Sequence, residues 1–351
     1  MIPMDNIHYN FRSINGYNKP INIVISPREP GKTSMAWMQL VYLPYKKTGK
    51  PWIYFVRQTN EITEALITSI EDIFNKFTDD DVKLEYAKSS MADGIVDCKI
   101  KGKILFRIVS LSIQMRRIKL AVLANIGGVL MDEYIIDPNT NEKYQKNEAF
   151  KIKEAYTTWR READGVLKMY FLGNPYSLYN PLFMWLGVPV QKLKPGAILV
   201  GDIYVIQCYQ LTKELREYIL KNNPLYEFDD AYKKYAFDGM AVNDSNIKIS
   251  KCPPGYKLIF IFRHNGKYLG IYRNDYFIDQ EDRFHCKFID DFSERRSVYC
   301  FEFNELVNQC IIFSNDEKAR LQRFKVSMRR RQITFEDINS YYIAQEIYNM
   351  I

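Results

Sequence analysis

The chain has 351 residues, 47% hydrophobic and 26% charged, with 49 Lys plus Arg against 42 Asp plus Glu, a net charge of +7. That length and apolar share suit a globular chain of two domains with real cores, and the mild positive charge leans toward polyanionic partners while falling short of a histone-like protein. With no apolar run near the ~18 residues of a membrane span, no visible signal peptide and no CxxC pair among its cysteines, the sequence argues against a membrane protein and a structural zinc site, and points to a reducing, cytosolic compartment.

The first predicted strand is Ile21-Asn22-Ile23-Val24-Ile25. The loop Ser26-Pro27-Arg28-Glu29-Pro30-Gly31-Lys32-Thr33 follows, and Ser34 to Val41 reads as a helix with an apolar face. Strand, loop and helix stand in the order a phosphate loop needs, because inward-facing backbone N–H groups and a helix N-terminus together attract phosphate. Gly31 lets the backbone approach ATP, Lys32 reaches the β- and γ-phosphates, and Thr33 offers its hydroxyl to Mg²⁺. Ser26 stands where the GxxxxGK[ST] pattern has its first Gly, and Pro27 and Pro30 each remove one N–H donor. Arg28, inside the loop, is a candidate to neutralise phosphate charge in cis. A Lys-Thr at an ordinary helix start is the plainer alternative.

Trp52 to Arg57 predicts a second strand and the region around Ile62 to Phe77 a helix. Lys83 to Ser112 alternates and contains Gly94 and Gly102, predicting a small hairpin excursion. Arg116, Arg117 and Lys119 beyond it are candidates for a loop that contacts a polyanionic backbone, as are Lys83, Lys88, Lys99, Lys101 and Lys103 on the hairpin; such phosphate contacts do not read sequence. Gly128 to Met131 is an apolar strand ending in Asp132-Glu133. Asp132 there is placed to hold Mg²⁺ and Glu133 to polarise the attacking water, against the alternative of a simple surface strand end. Arg160 or Arg161 could act as an arginine finger on a neighbouring subunit, or cap a solvated helix. Met169 to Gly173 is another strand, leading to Asn174-Pro175; Asn174 suits a γ-phosphate sensor, although Gly-Asn-Pro alone is a turn. Short apolar strands separated by helices predict an α/β domain with a parallel sheet covered on both faces.

The pattern changes near Gly201, which divides the chain into an ATPase domain at 1–200, a helical linker at 201–252 and a C-terminal domain at 253–351. Leu211 to Tyr232 reads as helix, and Cys252-Pro253-Pro254-Gly255 is a strong break. Strands follow at Tyr256 to Arg263, Tyr268 to Arg273, Phe284 to Phe288 and Val298 to Phe303, with helices near 302–312 and at the end: an antiparallel α+β domain. From Lys318 to Arg331 the basic residues Lys318, Arg320, Arg323, Lys325, Arg329, Arg330 and Arg331 stand without an acidic one. The run suits a nucleic-acid backbone or, alternatively, a solvated helix face.

Four pieces in order, Ile23 to Thr33, Trp52 to Gln58, Gly128 to Tyr134 and Leu172-Gly173-Asn174-Pro175, give the chain a family resemblance over roughly residues 15 to 185. It resembles the DNA-packaging (encapsidation) ATPases of small, short-tailed bacteriophages with protein-primed genomes. The resemblance implies an additional-strand P-loop ATPase core, a homomeric ring, usually of five, on the portal (connector) of an empty capsid in the host cytoplasm, and ATP-driven entry of double-stranded DNA. It carries the loop, metal, base and sensor roles onto Lys32, Thr33, Asp132, Glu133 and Asn174, and the trans finger onto Arg160 or Arg161. It also implies a ribonuclease-H-like C-terminal domain and, in some relatives, a structural packaging RNA. Two-metal nucleases of that type need an Asp in the first strand with other carboxylates converging on it. Tyr256 to Arg263 has none, and Asp275, Asp279, Asp282, Asp290 and Asp291 fall in loop-like stretches, so the domain reads as vestigial, without nuclease activity. Two rival readings are a helicase or other nucleic-acid-stimulated ATPase, and a non-catalytic nucleic-acid-binding module with a decayed loop.

Overall fold

The structure, a computed structural model, describes residues 8–27, 30–137, 142–176, 180–222, 247–264, 266–274, 283–290, 297–301, 306–307, 310–330 and 332–350. The chain divides into two compact units, Met1–Asn243 and Asp244–Ile351.

The first unit is an eight-stranded sheet. Its strands are β1 (Ile21–Ile25), β2 (Trp52–Val56), β3 (Ile95–Ile100), β4 (Lys103–Ser110), β5 (Gly128–Met131), β6 (Met169–Gly173), β7 (Ile198–Val200) and β8 (Tyr204–Cys208). They lie in the order β3-β4-β2-β5-β6-β1-β8-β7. The six central strands pair in parallel, and only the edge pairs β3·β4 and β7·β8 are antiparallel. Every residue of β1, β2, β5 and β6 is buried, as expected of strands with both faces covered, and this is why they read as unbroken apolar runs. β6 is intercalated between β1, which carries the loop, and β5, which carries the acidic pair.

After α1 (Arg12–Asn15), a continuous helix occupies 32–48. It is α-helical at α2 (Lys32–Ala36), π-helical from Trp37 to Tyr42, and α-helical again at α3 (Leu43–Thr48). The π segment buries Trp37 against Tyr54 and Phe106, with ring centroids 5.0 and 4.8 Å away. α4 (Glu64–Phe77) is capped by the Thr63 side chain, which accepts from the Leu66 N–H at 3.1 Å, and buries the stripe Ile67, Ile70, Phe74. Beyond it come α5 (Met115–Leu120), α6 (Glu148–Trp159), α7 (Pro181–Leu186) and α8 (Lys213–Asn222).

Two expectations for this unit need correction. The hairpin at 83–112 is no excursion, because β4 pairs in parallel with β2 over five residues and joins the main sheet. Nor does the unit stop at 200: β8 pairs with β1 along the whole strand, so the helical linker expected from 201 begins with a sheet strand. Within that stretch α8 is helical, while 223–246 lies outside the described residues.

The second unit contains β9 (Lys248–Ile249), β10 (Lys257–His264), β11 (Lys267–Arg273), β12 (Phe284–Phe288), β13 (Val298–Cys300), β14 (Cys310–Ile312) and β15 (Ile333–Phe335), in the order β14-β13-β10-β11-β12-β15-β9. The sheet is mixed, where an antiparallel one was expected. β10, β11 and β12 form an antiparallel meander, and β13, β14, β15 and β9 add in parallel. Of the helix expected near 302–312, residues 310–312 form β14, while 302–305 and 308–309 lie outside the described residues. The helices are α9 (Asn315–Arg320), α10 (Gln322–Arg329) and α11 (Ile338–Met350), and α11 packs on β11, β12 and β15. Among the described residues no helix is long and apolar enough to cross a membrane.

Candidate functional site

β1 delivers the loop to the carboxyl edge of the sheet. Ser26 is fully buried there; its N–H donates to the Gly173 carbonyl at 3.1 Å and its hydroxyl to the Pro27 carbonyl at 2.9 Å. The Pro30 carbonyl accepts the Tyr9 N–H at 2.8 Å, so the segment before α1 straps the loop. Gly31 then turns left-handed at φ +64°, a conformation that glycine adopts without penalty, and opens α2. Arg28 and Glu29 lie outside the described residues, so the cis role read for Arg28 has no geometry.

Four side chains converge beyond that turn. The Lys32 ammonium donates to Asn174 Oδ1 at 2.5 Å, and Thr33 Oγ1 donates to Asp132 Oδ2 at 2.6 Å. Asp132 Oδ1 in turn accepts the Glu133 N–H at 2.9 Å. Glu133 is exposed at the open end of the sheet and holds φ +51°, which costs a non-glycine residue about 1 kcal/mol. Gly173, just before Asn174, has a packing reason: a Cβ there would meet the Tyr134 ring at 2.8 Å and Ile135 at 2.9 Å. The bare strand end lets the segment after Glu133 cross over it.

Sequence reasoning missed Arg57 and Glu148. Arg57 directly follows β2 and is 4% exposed. Its Nε donates to Glu148 Oε2 at 3.0 Å and its Nη2 to Glu148 Oε1 at 3.3 Å. The same guanidinium donates to the Tyr134 carbonyl at 2.9 Å and the Glu133 carbonyl at 3.4 Å, and lies 5.2 Å from the Tyr144 ring centroid. Burial alone would lower its pKa, but the Glu148 carboxylate leads the effects that raise it overall. The available signal was a single charge closing an apolar strand, since a buried charge persists where it is paired. Nearby, burial lifts the Glu61 carboxyl above its usual range, and burial followed by Asp132 and Glu133 lifts the Tyr54 hydroxyl.

Other candidate residues stand apart from this cluster. Arg160 and Arg161 are exposed at the far end of α6, about 18 Å of helix from Glu148. On α5, Arg116 and Arg117 are exposed, with Arg117 3.8 Å from Asp93. Lys119 was read as a DNA contact, but it pairs with Glu154 and its carbonyl accepts from Trp159 Nε1 at 3.2 Å, so it joins α5 to α6. In the second unit α10 buries Phe324 and exposes Arg323 and Arg329, with Arg330 exposed at its end. Arg329 also donates to the Tyr348 hydroxyl at 3.0 Å. Arg331 lies outside the described residues, as do Asp275, Asp279, Asp282 and Asp291; Asp290 follows β12.

The sequence model of a family described as Podovirus DNA encapsidation protein (Gp16) matches residues 4–351. The DNA packaging protein of Bacillus phage B103 is 24% identical over 335 residues, 95% of this chain and 97% of that protein. That of Bacillus phage PZA is 24% identical over 267 residues, 76% of this chain and 75% of that protein. A chain of the bacteriophage Phi-29 viral genome packaging motor assembly shares the fold with a TM-score of 0.63 at 20% identity, covering 98% of this chain and 99% of that one. The Phi-28 gp11 DNA packaging motor does so with a TM-score of 0.63 at 16% identity, over 99% and 98%.

Proposed function

Because the chain belongs to the podovirus DNA encapsidation protein (Gp16) family and so serves DNA packaging, we propose that it drives packaging by hydrolysing ATP at the junction of β1, β5 and β6. The observation that carries this reading is the meeting of Lys32 and Thr33 with Asn174 and Asp132 at one sheet edge. The order of the strands, with β6 between the loop strand and the acidic strand, supports an additional-strand P-loop core.

Each residue has a task in that reaction. The N–H groups opening α2 and the Lys32 ammonium bind the phosphates and offset their charge. Thr33 and Asp132 present oxygen donors of the kind Mg²⁺ takes, and the ion when bound neutralises charge on the phosphates. Glu133 orients the attacking water, and Asn174, next to Lys32, reports on the γ-phosphate. Arg160 or Arg161, exposed at the end of α6, is the trans finger of a ring in which each subunit completes its neighbour.

The substrate moved is double-stranded viral DNA. Arg116 and Arg117 in the first unit and Arg323, Arg329 and Arg330 in the second contact its backbone, or that of a structural RNA. The ring, of five subunits, sits on the capsid portal in the host cytoplasm. The second unit is read as a vestigial ribonuclease-H-like domain, a reading supported by an antiparallel meander β12-β11-β10 extended in parallel by β13 and β14, and by the lack in β10 of the Asp the nuclease needs. Phosphate release by the purified protein, with and without duplex DNA, tests the proposal. Stimulation by DNA is expected; release that DNA leaves unchanged would contradict a motor.

A further inference from the structure

We propose that Arg57, held by Glu148, is a positioning residue that sets the peptide of Glu133 for catalysis. This rests on the reading of Glu133 as the residue that orients the attacking water.

The geometry brackets that peptide from both sides. Its N–H donates to Asp132 Oδ1, and its carbonyl and that of Tyr134 both accept from Arg57. Asp132 is tied through its other oxygen to Thr33, and Arg57 through its remaining N–H groups to Glu148 at the start of α6. A chain of hydrogen bonds thus runs from the phosphate loop through Glu133 to α6. The Glu133 backbone is left-handed, a conformation that persists in a non-glycine residue when its surroundings over-determine it.

A merely structural ion pair would not need this layout. Buried pairs are often replaceable by apolar residues of similar volume without loss of stability. Here one edge of the guanidinium grips a carboxylate and another edge grips two consecutive carbonyls, a task for a rigid planar fork and not for a lysine ammonium. Gln145 also donates its N–H to Glu148 Oε2 at 2.8 Å, which fixes the carboxylate that fixes Arg57.

The test uses Arg57→Lys and Glu148→Gln in the full chain, each also combined with Glu133→Gln. ATP turnover and the Kd of a fluorescent ATP analogue are measured for all. Arg57→Lys is expected to lower kcat about tenfold or more, Glu148→Gln by less, each with Kd held within roughly threefold. In the Glu133→Gln background neither is expected to lower the residual rate further, because both act through Glu133. Turnover spared in both single variants, kcat and binding lost in parallel, or a full-sized effect in the Glu133→Gln background would each overturn the proposal. If Arg57→Lys does not fold, Glu148→Gln decides by the same criteria. Wild-type turnover that Glu133→Gln abolishes but the clamp variants retain would sink this inference alone. Absence of Glu133-dependent turnover in wild type would sink the ATPase reading and this one with it.

Discussion

Thr33 and Asp132 are joined by a 2.6 Å hydrogen bond across a strand to which neither belongs. Thr33 opens the helix after β1 and Asp132 follows β5, while β6 lies between those strands. The intervening strand ends at Asn174, whose side chain reaches Lys32. The sheet order alone therefore brings the loop, Asp132 and Asn174 to one edge.

That arrangement makes Gly173 a packing-critical residue. Gly173→Ala drives a methyl into Tyr134 and Ile135, both of them buried. A loss of about 1 to 3 kcal/mol is expected from such overpacking. Urea unfolding of the variant measures it; a midpoint equal to wild type would contradict the packing described.

Stability is expected to depend on pH through the second unit. Burial, with Lys287 adding to it, pushes the His285 imidazole down from 6.5 to about 4. Its Nδ1 shares a hydrogen bond of 2.9 Å with Thr334. A histidine depressed by folding stabilises fully above its unfolded pKa, and that stability is lost as pH falls from 6.5 toward 4, by up to about 3 kcal/mol. Unfolding curves between pH 7 and 4 should show the loss, and His285→Gln should flatten it. Equal slopes in both proteins would contradict the assignment.

A trans finger at Arg160 or Arg161 predicts behaviour in mixtures. Subunits carrying Arg160→Ala with Arg161→Ala, or Glu133→Gln, should each be inactive alone. Mixed, they should recover turnover, because an intact Glu133 can meet a neighbour's intact arginine. Rates that stay at the sum of the separate proteins would exclude a trans finger.

The DNA binding proposed for the second unit has its own signature. Arg323→Ala with Arg330→Ala should weaken binding to all duplex sequences alike and reduce the dependence of affinity on salt by about two phosphate contacts. A titration over salt concentrations reads both effects; an unchanged slope would place the DNA elsewhere.

The strands that build the site were legible because they are buried on both faces and so read as apolar runs bounded by turn residues. The elements misread were those whose side chains do not announce their neighbours. β3 alternates in burial, and with β4 it reads as a separate hairpin, although β4 pairs with β2. β8 falls where the composition changes, yet five of its residues pair with β1. β14 has three residues, too few for any periodicity, and is defined by its partner β13. Within the candidate site, the residues that the fold brings together, Lys32, Thr33, Asp132 and Asn174, stand out from local spacing. Arg57 does not, because its partner lies 91 positions away and reaches it through tertiary structure alone.

Glu133→Gln offers the most direct test. The substitution removes the carboxylate proposed to orient water while leaving Lys32, Thr33, Asp132 and Asn174 in place. ATP turnover and ATP binding are measured on the same purified samples, with duplex DNA present. Turnover reduced at least about a hundredfold with binding intact is the predicted result. Turnover equal to that of wild type would contradict hydrolysis at this site.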